Sequence, residues 1–220
     1  MATNKVWGPA DDRRLELESP SIEISFGSVP LTRFFVRENG KIVQKTTREL
    51  FLNKRIVIFG VPGAFTPTCS NSQVPDYEAA YDDLIAAGVD EVYCVSVNDA
   101  YVMDAWRESL GIQKVKFLPD GNGFFTRQIG KNVFKTNIGF GIRSWRYVAV
   151  LNGCEDIEII FNEDGKHDNC ATDPYERSTP ASVLNYLRET GRPKNYDDMS
   201  EKEMDDLLLI QNLEDELFLK

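Results

Sequence analysis

Four apolar residues, Ile56-Val57-Ile58-Phe59, run without interruption into Gly60-Val61-Pro62-Gly63-Ala64-Phe65-Thr66-Pro67-Thr68-Cys69-Ser70, and the residues after Ser70 are compatible with a helix. An apolar run of this length, bounded by glycine and proline, reads as a strand buried on both faces, so a central strand hands over directly to a helix. Thr66 suits the N-cap and Pro67 the first helical position, where the N–H that proline lacks would go unpaired in any case. Cys69 then falls in the first turn, in the positive field of the helix N-terminus, which favours the thiolate that is both nucleophile and redox-active species. The competing reading is a buried structural thiol, because free cysteine is among the residue types found most often inside.

The rest of the chain builds an α/β layer around that strand. Residues 22–26 alternate as a strand, and residues 31–37 and 41–45 pair as a hairpin across Asn39-Gly40. Residues 46–51 read as a short turn and 55–60 as the buried strand. The helix from 66 runs to 87, kinked by Pro75 and stopped by Gly88. Further strands fall at 91–97, 115–118, 143–151 and 156–161, with Asn152-Gly153 turning between the last two. Helices fall at 99–110, 122–130 and 179–191. Strands alternating with helices, then a closing hairpin, give a mixed central sheet covered on both faces.

Three segments emerge: an N-terminal extension over 1–20, the α/β domain over 21–190, and an acidic linker and helix over 191–220. The last holds nine Asp or Glu against four Lys or Arg, half of the chain's net charge of −10. Ser200-x-x-Glu203 has the form of a capping box, and Met204, Leu207, Ile210, Leu213 and Leu217 recur at helical spacing.

The acidic balance argues against nucleic acid as a partner, since phosphate binding needs a basic surface. No stretch has the length and apolarity of a membrane span, and residues 1–20 lack a signal-peptide core, so a cytoplasmic protein is expected. Four cysteines, at 69, 94, 154 and 170, include no C-x-x-C. With His167 as the single histidine, a multi-histidine metal site is impossible, and a cation must activate Cys69 if it is a nucleophile. Arginine suits that task, being always charged and forked.

Pro62-x-x-x-Thr66-x-x-Cys69 matches a peroxiredoxin signature, and the longer string Pro-Gly-Ala-Phe-Thr-Pro-Thr-Cys-Ser resembles the peroxiredoxin 5, or type II, branch. Val89 to Asp99, Val102-Met103-x-Ala105-Trp106 and Gly139-Phe140-Gly141-Ile142-Arg143-Ser144-x-Arg146-Tyr147 resemble further strings of that family in the same order.

The resemblance implies a thioredoxin-like fold and a thiol-dependent peroxidase working without metal, haem or flavin. It also implies a hydroperoxide substrate, glutathione with glutaredoxin or thioredoxin as reductant, and a homodimer. Cys69 becomes the attacking thiol, Arg143 the active-site arginine, Thr66 a hydroxyl partner and Pro62 a dry wall. Cys170 resembles the resolving cysteine of some members and Cys94 the second cysteine of others. Cys170 is preferred because loops move more readily than strands. Gln73 departs from the histidine common in relatives. The alternative is a peroxide-sensing switch that docks a partner through the acidic C-terminal helix.

Overall fold

The computed structural model describes residues 29–191. The expected strand over 22–26, the N-terminal extension and the acidic helix beyond 191 lie outside the described residues.

Among the described residues, nine strands form one five-stranded sheet and two two-stranded antiparallel pairs. β1 (Arg33–Glu38) and β2 (Lys41–Thr46) pair antiparallel across Asn39 and Gly40, both at positive φ, as an Asn-Gly turn requires. The expected turn after β2 is a short helix, α1 (Thr47–Phe51), capped reciprocally by Thr46 and Glu49. β3 (Arg55–Val61), buried throughout, occupies the middle of the sheet in the order β5-β4-β3-β8-β9. It runs parallel to β4 (Glu91–Ser96), which runs parallel to β5 (Lys116–Pro119). On its other side it is antiparallel to β8 (Tyr147–Asn152), which turns back into β9 (Asp156–Asn162).

Alternation along these strands sorts their side chains into two cores. Val57, Phe59, Val61, Val92, Cys94, Val148 and Val150 face one side. There they meet Tyr77 of α2 (Val74–Ala79), Leu84 of α3 (Tyr81–Ala86), Met103 and Trp106 of α4 (Ala100–Ser109), and Val183 and Leu187 of α6 (Pro180–Thr190). Ile56, Ile58, Tyr93, Val95, Tyr147, Ala149 and Leu151 face the other side, where Phe34, Phe51 and Phe125 of α5 (Phe124–Gln128) cover them. A sheet buried on both faces is what the continuous apolar runs of β3 and β8 demand.

Two expected elements are broken. The long helix opens at Pro67, widens into a π turn over Cys69–Gln73, resumes as α2 and breaks at Ala80 before α3. Pro75 explains the π turn: it cannot donate to the carbonyl four residues back, and Val74 N–H reaches instead to the Cys69 carbonyl, five back. The expected strand over 143–151 is two strands, β7 (Gly141–Ser144) and β8, interrupted at Trp145-Arg146. β7 pairs with β6 (Asn132–Lys135), a strand without a sequence signal because its four residues carry no alternation long enough to see.

Gly60 of β3 lies opposite Tyr147 of β8, whose ring occupies the space a side chain would need. A Cβ there would lie 2.1 Å from Cε1 of Tyr147 and 2.8 Å from Oγ of Ser144. Tyr147 is fully buried and has nowhere to go. Gly60→Ala is therefore expected to lower stability by about 1–3 kcal/mol, read as a drop in the denaturation midpoint; an unchanged midpoint would contradict this packing.

Candidate active site

β3 delivers the chain to Pro62 and Gly63 at its C-terminal end, and the backbone then reverses into the helix start. Phe65 takes φ 62°, a left-handed conformation uncommon for a large side chain, which marks a locally strained turn. Ser70 N–H donates to the Thr66 carbonyl at 3.0 Å, the first helical bond, so Thr66 is the N-cap by position and Cys69 lies in the first turn. The Thr66 hydroxyl donates to the Gly63 carbonyl at 2.8 Å rather than capping the helix. Asn98, just beyond β4, accepts from Ala64 N–H at 3.0 Å through Oδ1 and holds the loop to the sheet.

Neighbouring packing fixes the first turn. Trp106 Nε1 donates to Ser70 Oγ at 3.0 Å. Two turns later the Tyr77 ring stacks on Phe59 with centroids 4.1 Å apart and its hydroxyl donates to the Ser178 carbonyl. An aromatic pair of this kind contributes about 0.5–1.5 kcal/mol beyond its buried area, enough to hold the helix on β3. Pro62 is buried, and Cys69 has no solvent exposure.

The cation on the sulfur is Arg146. Its Nη1 donates to Cys69 Sγ at 3.5 Å and to Gln73 Oε1, and its Nη2 donates to Asp173 Oδ1. Burial opposes the Arg146 charge, but the neighbouring Cys69 and Asp173 outweigh it and hold the guanidinium above its ordinary range. The Tyr175 ring lies 5.9 Å from its Cζ.

This corrects the assignment of the sulfur's partner to Arg143. Arg143 Nη1 donates to the Val97 carbonyl at 2.6 Å, and its Nε lies 3.8 Å from where a Cβ on Gly63 would sit. It borders the cysteine loop without bonding the sulfur, and burial pulls it below its ordinary range. Strand parity gives the reason. Arg146 shares its face with Val148 and Val150, the face that Cys69 and Cys94 pack on, whereas Arg143 is an odd number of residues away. Because Tyr147 is opposite Gly60 in an antiparallel pair, Arg146 falls beside Val61, the last residue of β3, where the loop emerges. That parity is readable in the sequence from the expected strand alone, since alternation separates residue 143 from 146, 148 and 150.

Gln73, fully buried four residues after Cys69, uses its amide oxygen to hold Arg146. Its Nε2, the Nε of Arg146 and the Nε of Arg143 are buried N–H groups without a hydrogen-bond partner. Asp173 escapes sequence reasoning altogether, because nothing local in 163–178 signals that the segment returns to the sheet.

The other thiols are stored apart. Cys94 faces the same core as Cys69; burial, and secondarily the proximity of Cys69, push its thiol well above the ordinary range. Cys154 is half-buried at the β8–β9 turn, its sulfur 3.7 Å from the Thr47 carbonyl. Cys170 is not the mobile loop residue expected: it is 5% exposed, packed with Val133 and Trp145, and its sulfur lies 3.2 Å from the Thr172 hydroxyl. None of the four is joined in a disulfide. Among the described residues no cluster of three or more His, Cys, Asp or Glu could hold a metal ion, and no helix is long and apolar enough to cross a membrane.

A strand-loop-helix unit with a buried cysteine in its first turn and an arginine on the sulfur is the setting in which the likeness of this chain to known proteins can be placed. The family model described as Redoxin matches residues 29–168. A peroxiredoxin of Sinorhizobium fredii is 53% identical over 144 residues, covering 66% of this chain and 76% of that protein. A peroxiredoxin of Synechocystis is 49% identical over 149 residues, covering 68% and 78%. Among solved structures, the Plasmodium falciparum antioxidant protein, described as a 1-Cys peroxiredoxin, has a TM-score of 0.71 at 36% identity and covers 75% of this chain and 98% of its own. Reduced Prx3 of Vibrio vulnificus in complex with hydrogen peroxide has a TM-score of 0.66 at 34% identity, covering 73% and 96%. With the family matched across the sheet and the cysteine loop alike, this chain belongs to the redoxin family as a peroxiredoxin, a thiol-dependent peroxidase with a thioredoxin-like fold.

Proposed function

We propose that the protein reduces hydrogen peroxide and small organic hydroperoxides through Cys69. The thiolate attacks the terminal oxygen, the O–O bond breaks, the leaving oxygen takes a proton and departs as water or an alcohol, and Cys69 is left as a sulfenic acid. The observation that carries this reading is the Arg146 guanidinium on Cys69 Sγ in the first turn of a helix. There it stabilises the thiolate before attack and the negative charge that grows on oxygen during it.

The Thr66 hydroxyl, which donates to Gly63, keeps its lone pairs free to accept from the peroxide O–H. Pro62 supplies a dry wall that strengthens these interactions. Arg143, beside Gly63, lines the loop with a buried N–H available to an oxygen substrate. The full burial of Cys69 favours small hydroperoxides over bulky ones.

The sulfenic acid is recycled by a thiol. Cys170 is the internal candidate: its thiol and the Cys69 sulfenic acid would condense to a disulfide and water, and thioredoxin would then reduce that disulfide. Its burial means that the loop must open first. Without that step, glutathione or glutaredoxin takes its place. The protein acts as a homodimer, as its family likeness supports.

The test is the intact mass of the reduced protein after stoichiometric hydrogen peroxide, with peptide mapping. Loss of two hydrogens mapped to a Cys69–Cys170 link means an internal cycle, and gain of one oxygen on Cys69 alone means a one-cysteine cycle. No change on Cys69 in either form would overturn the proposal.

A further inference from the structure

Five N–H groups on one planar fork let an arginine be aimed, provided that at least two of its nitrogens are held. For Arg146 the two held nitrogens have different anchors. Nη1, the one on the sulfur, is also held by Gln73, which belongs to the same π turn as Cys69 and moves with it. Nη2 is held by Asp173, from a segment more than 25 residues further along the chain. Nε has no partner, and Asp173 is the only carboxylate bonded to Arg146 among the described residues.

Asp173 is itself held between fixed points. Upstream, Asn169 N–H donates to the Phe134 carbonyl at 2.7 Å, and Lys135 Nζ donates to the Cys170 carbonyl at 2.8 Å. Downstream, the buried Glu163 carboxylate accepts the backbone N–H groups of Glu176, Arg177 and Ser178 and the Ser178 hydroxyl, closing the loop at its base. Between them the Tyr175 hydroxyl donates to Asp76 of α2 at 2.9 Å. Glu163 N–H in turn donates to the Arg146 carbonyl, so the same loop grips the arginine at backbone and side chain.

We infer that Asp173 is a positioning residue for peroxide reduction: it holds Nη2 so that Nη1 stays on Cys69, and it makes the aim of Arg146 depend on the closed state of the loop that carries Cys170. The inference rests on the reading of Arg146 as the arginine that serves Cys69. A carboxylate on the same cation as a thiolate competes for its charge, so a purely electrostatic role would slow the reaction. Placement on the opposite nitrogen gives direction instead: it turns the fork toward the sulfur and leaves Nε facing inward.

The experiment compares two rates in the full-length protein, oxidation of Cys69 by hydrogen peroxide and its alkylation by iodoacetamide, each followed by quenched-flow mass spectrometry. Alkylation needs the thiolate alone, whereas peroxide also needs a correctly aimed donor for its leaving oxygen. Asp173→Ala is expected to slow oxidation about tenfold, the scale at which misplacing a catalytic group is felt, and alkylation by clearly less. Asp173→Asn, whose amide oxygen still accepts from Nη2, recovers most of the loss. Oxidation by Asp173→Ala at the wild-type rate while Arg146→Ala is slow overturns the inference alone. So does equal slowing of Asp173→Asn and Asp173→Ala, which would assign the effect to charge. If Arg146→Ala itself oxidises normally, the reading of the site fails with it. Should Asp173→Ala not fold, Asp173→Leu takes its place beside Asp173→Asn in the same two rates: a loss in Asp173→Leu that Asp173→Asn recovers supports positioning, and oxidation by both at the wild-type rate, or slowed equally, overturns it.

Discussion

Cys69→Ser consumes no peroxide with any thiol reductant. A serine hydroxyl is a far poorer nucleophile than a thiol, and an alcohol cannot be carried through the sulfenic acid stage on which turnover depends. The substitution is nearly isosteric and removes only one weak contact, the Arg146 Nη1 to sulfur bond at 3.5 Å, so the fold should survive. Its denaturation midpoint, measured beside the peroxide assay, separates lost chemistry from lost structure. Turnover by this variant above the uncatalysed rate would show that another of the four thiols carries the reaction.

Arg146→Ala is the second large effect. It removes the donor that stabilises charge on sulfur and on the departing oxygen, and loss of one such donor lowers a rate by about 10²–10³-fold. It also leaves the fully buried Gln73 amide oxygen without its partner, so some stability goes as well, whereas the exposed Asp173 carboxylate can turn to water. Arg146→Lys is the sharper variant. It keeps the charge but cannot hold sulfur, Gln73 and Asp173 from one plane, so the rate should stay well below wild type. Arg143→Ala should lose much less, because that guanidinium is bonded to the Val97 carbonyl and not to the sulfur. The reverse ranking of the two arginines in a single-turnover oxidation assay would contradict the geometry.

What was legible in the sequence was what is encoded locally. β3, the cysteine loop and the helix start were readable because apolar run, proline and N-cap are adjacent in the chain, and Asn39-Gly40 announced its hairpin for the same reason. Pro75 gave away an irregularity but not its form, because whether a helix answers a proline by kinking or by widening into a π turn depends on what it packs against. The arginine was misplaced by three residues because the string that carries the resemblance, Gly139 to Tyr147, holds two arginines, and the resemblance assigned the role without the strand parity that puts Arg146 with Val148 and Val150. Asp173 and the burial of Cys170 were out of reach, since both depend on a long-range return of residues 163–178 to β6 and β8.

The three cores also set the mechanical terms on which a sulfur can leave its place. Cys94 is built into the middle of the main sheet, hydrogen-bonded on both sides, so bringing it to another thiol would mean bending the most rigid object in the molecule. Cys170 is lodged in the smallest cluster, against Val133 and Trp145, beneath a loop fastened by side chains. Emptying that niche breaks a few polar contacts and leaves both large cores intact. If one of these sulfurs travels to meet Cys69, this difference in elasticity selects Cys170. Its departure would draw Asp173 off Arg146, so that readiness to attack and readiness to be regenerated become successive conditions of one hinge rather than simultaneous properties of one site.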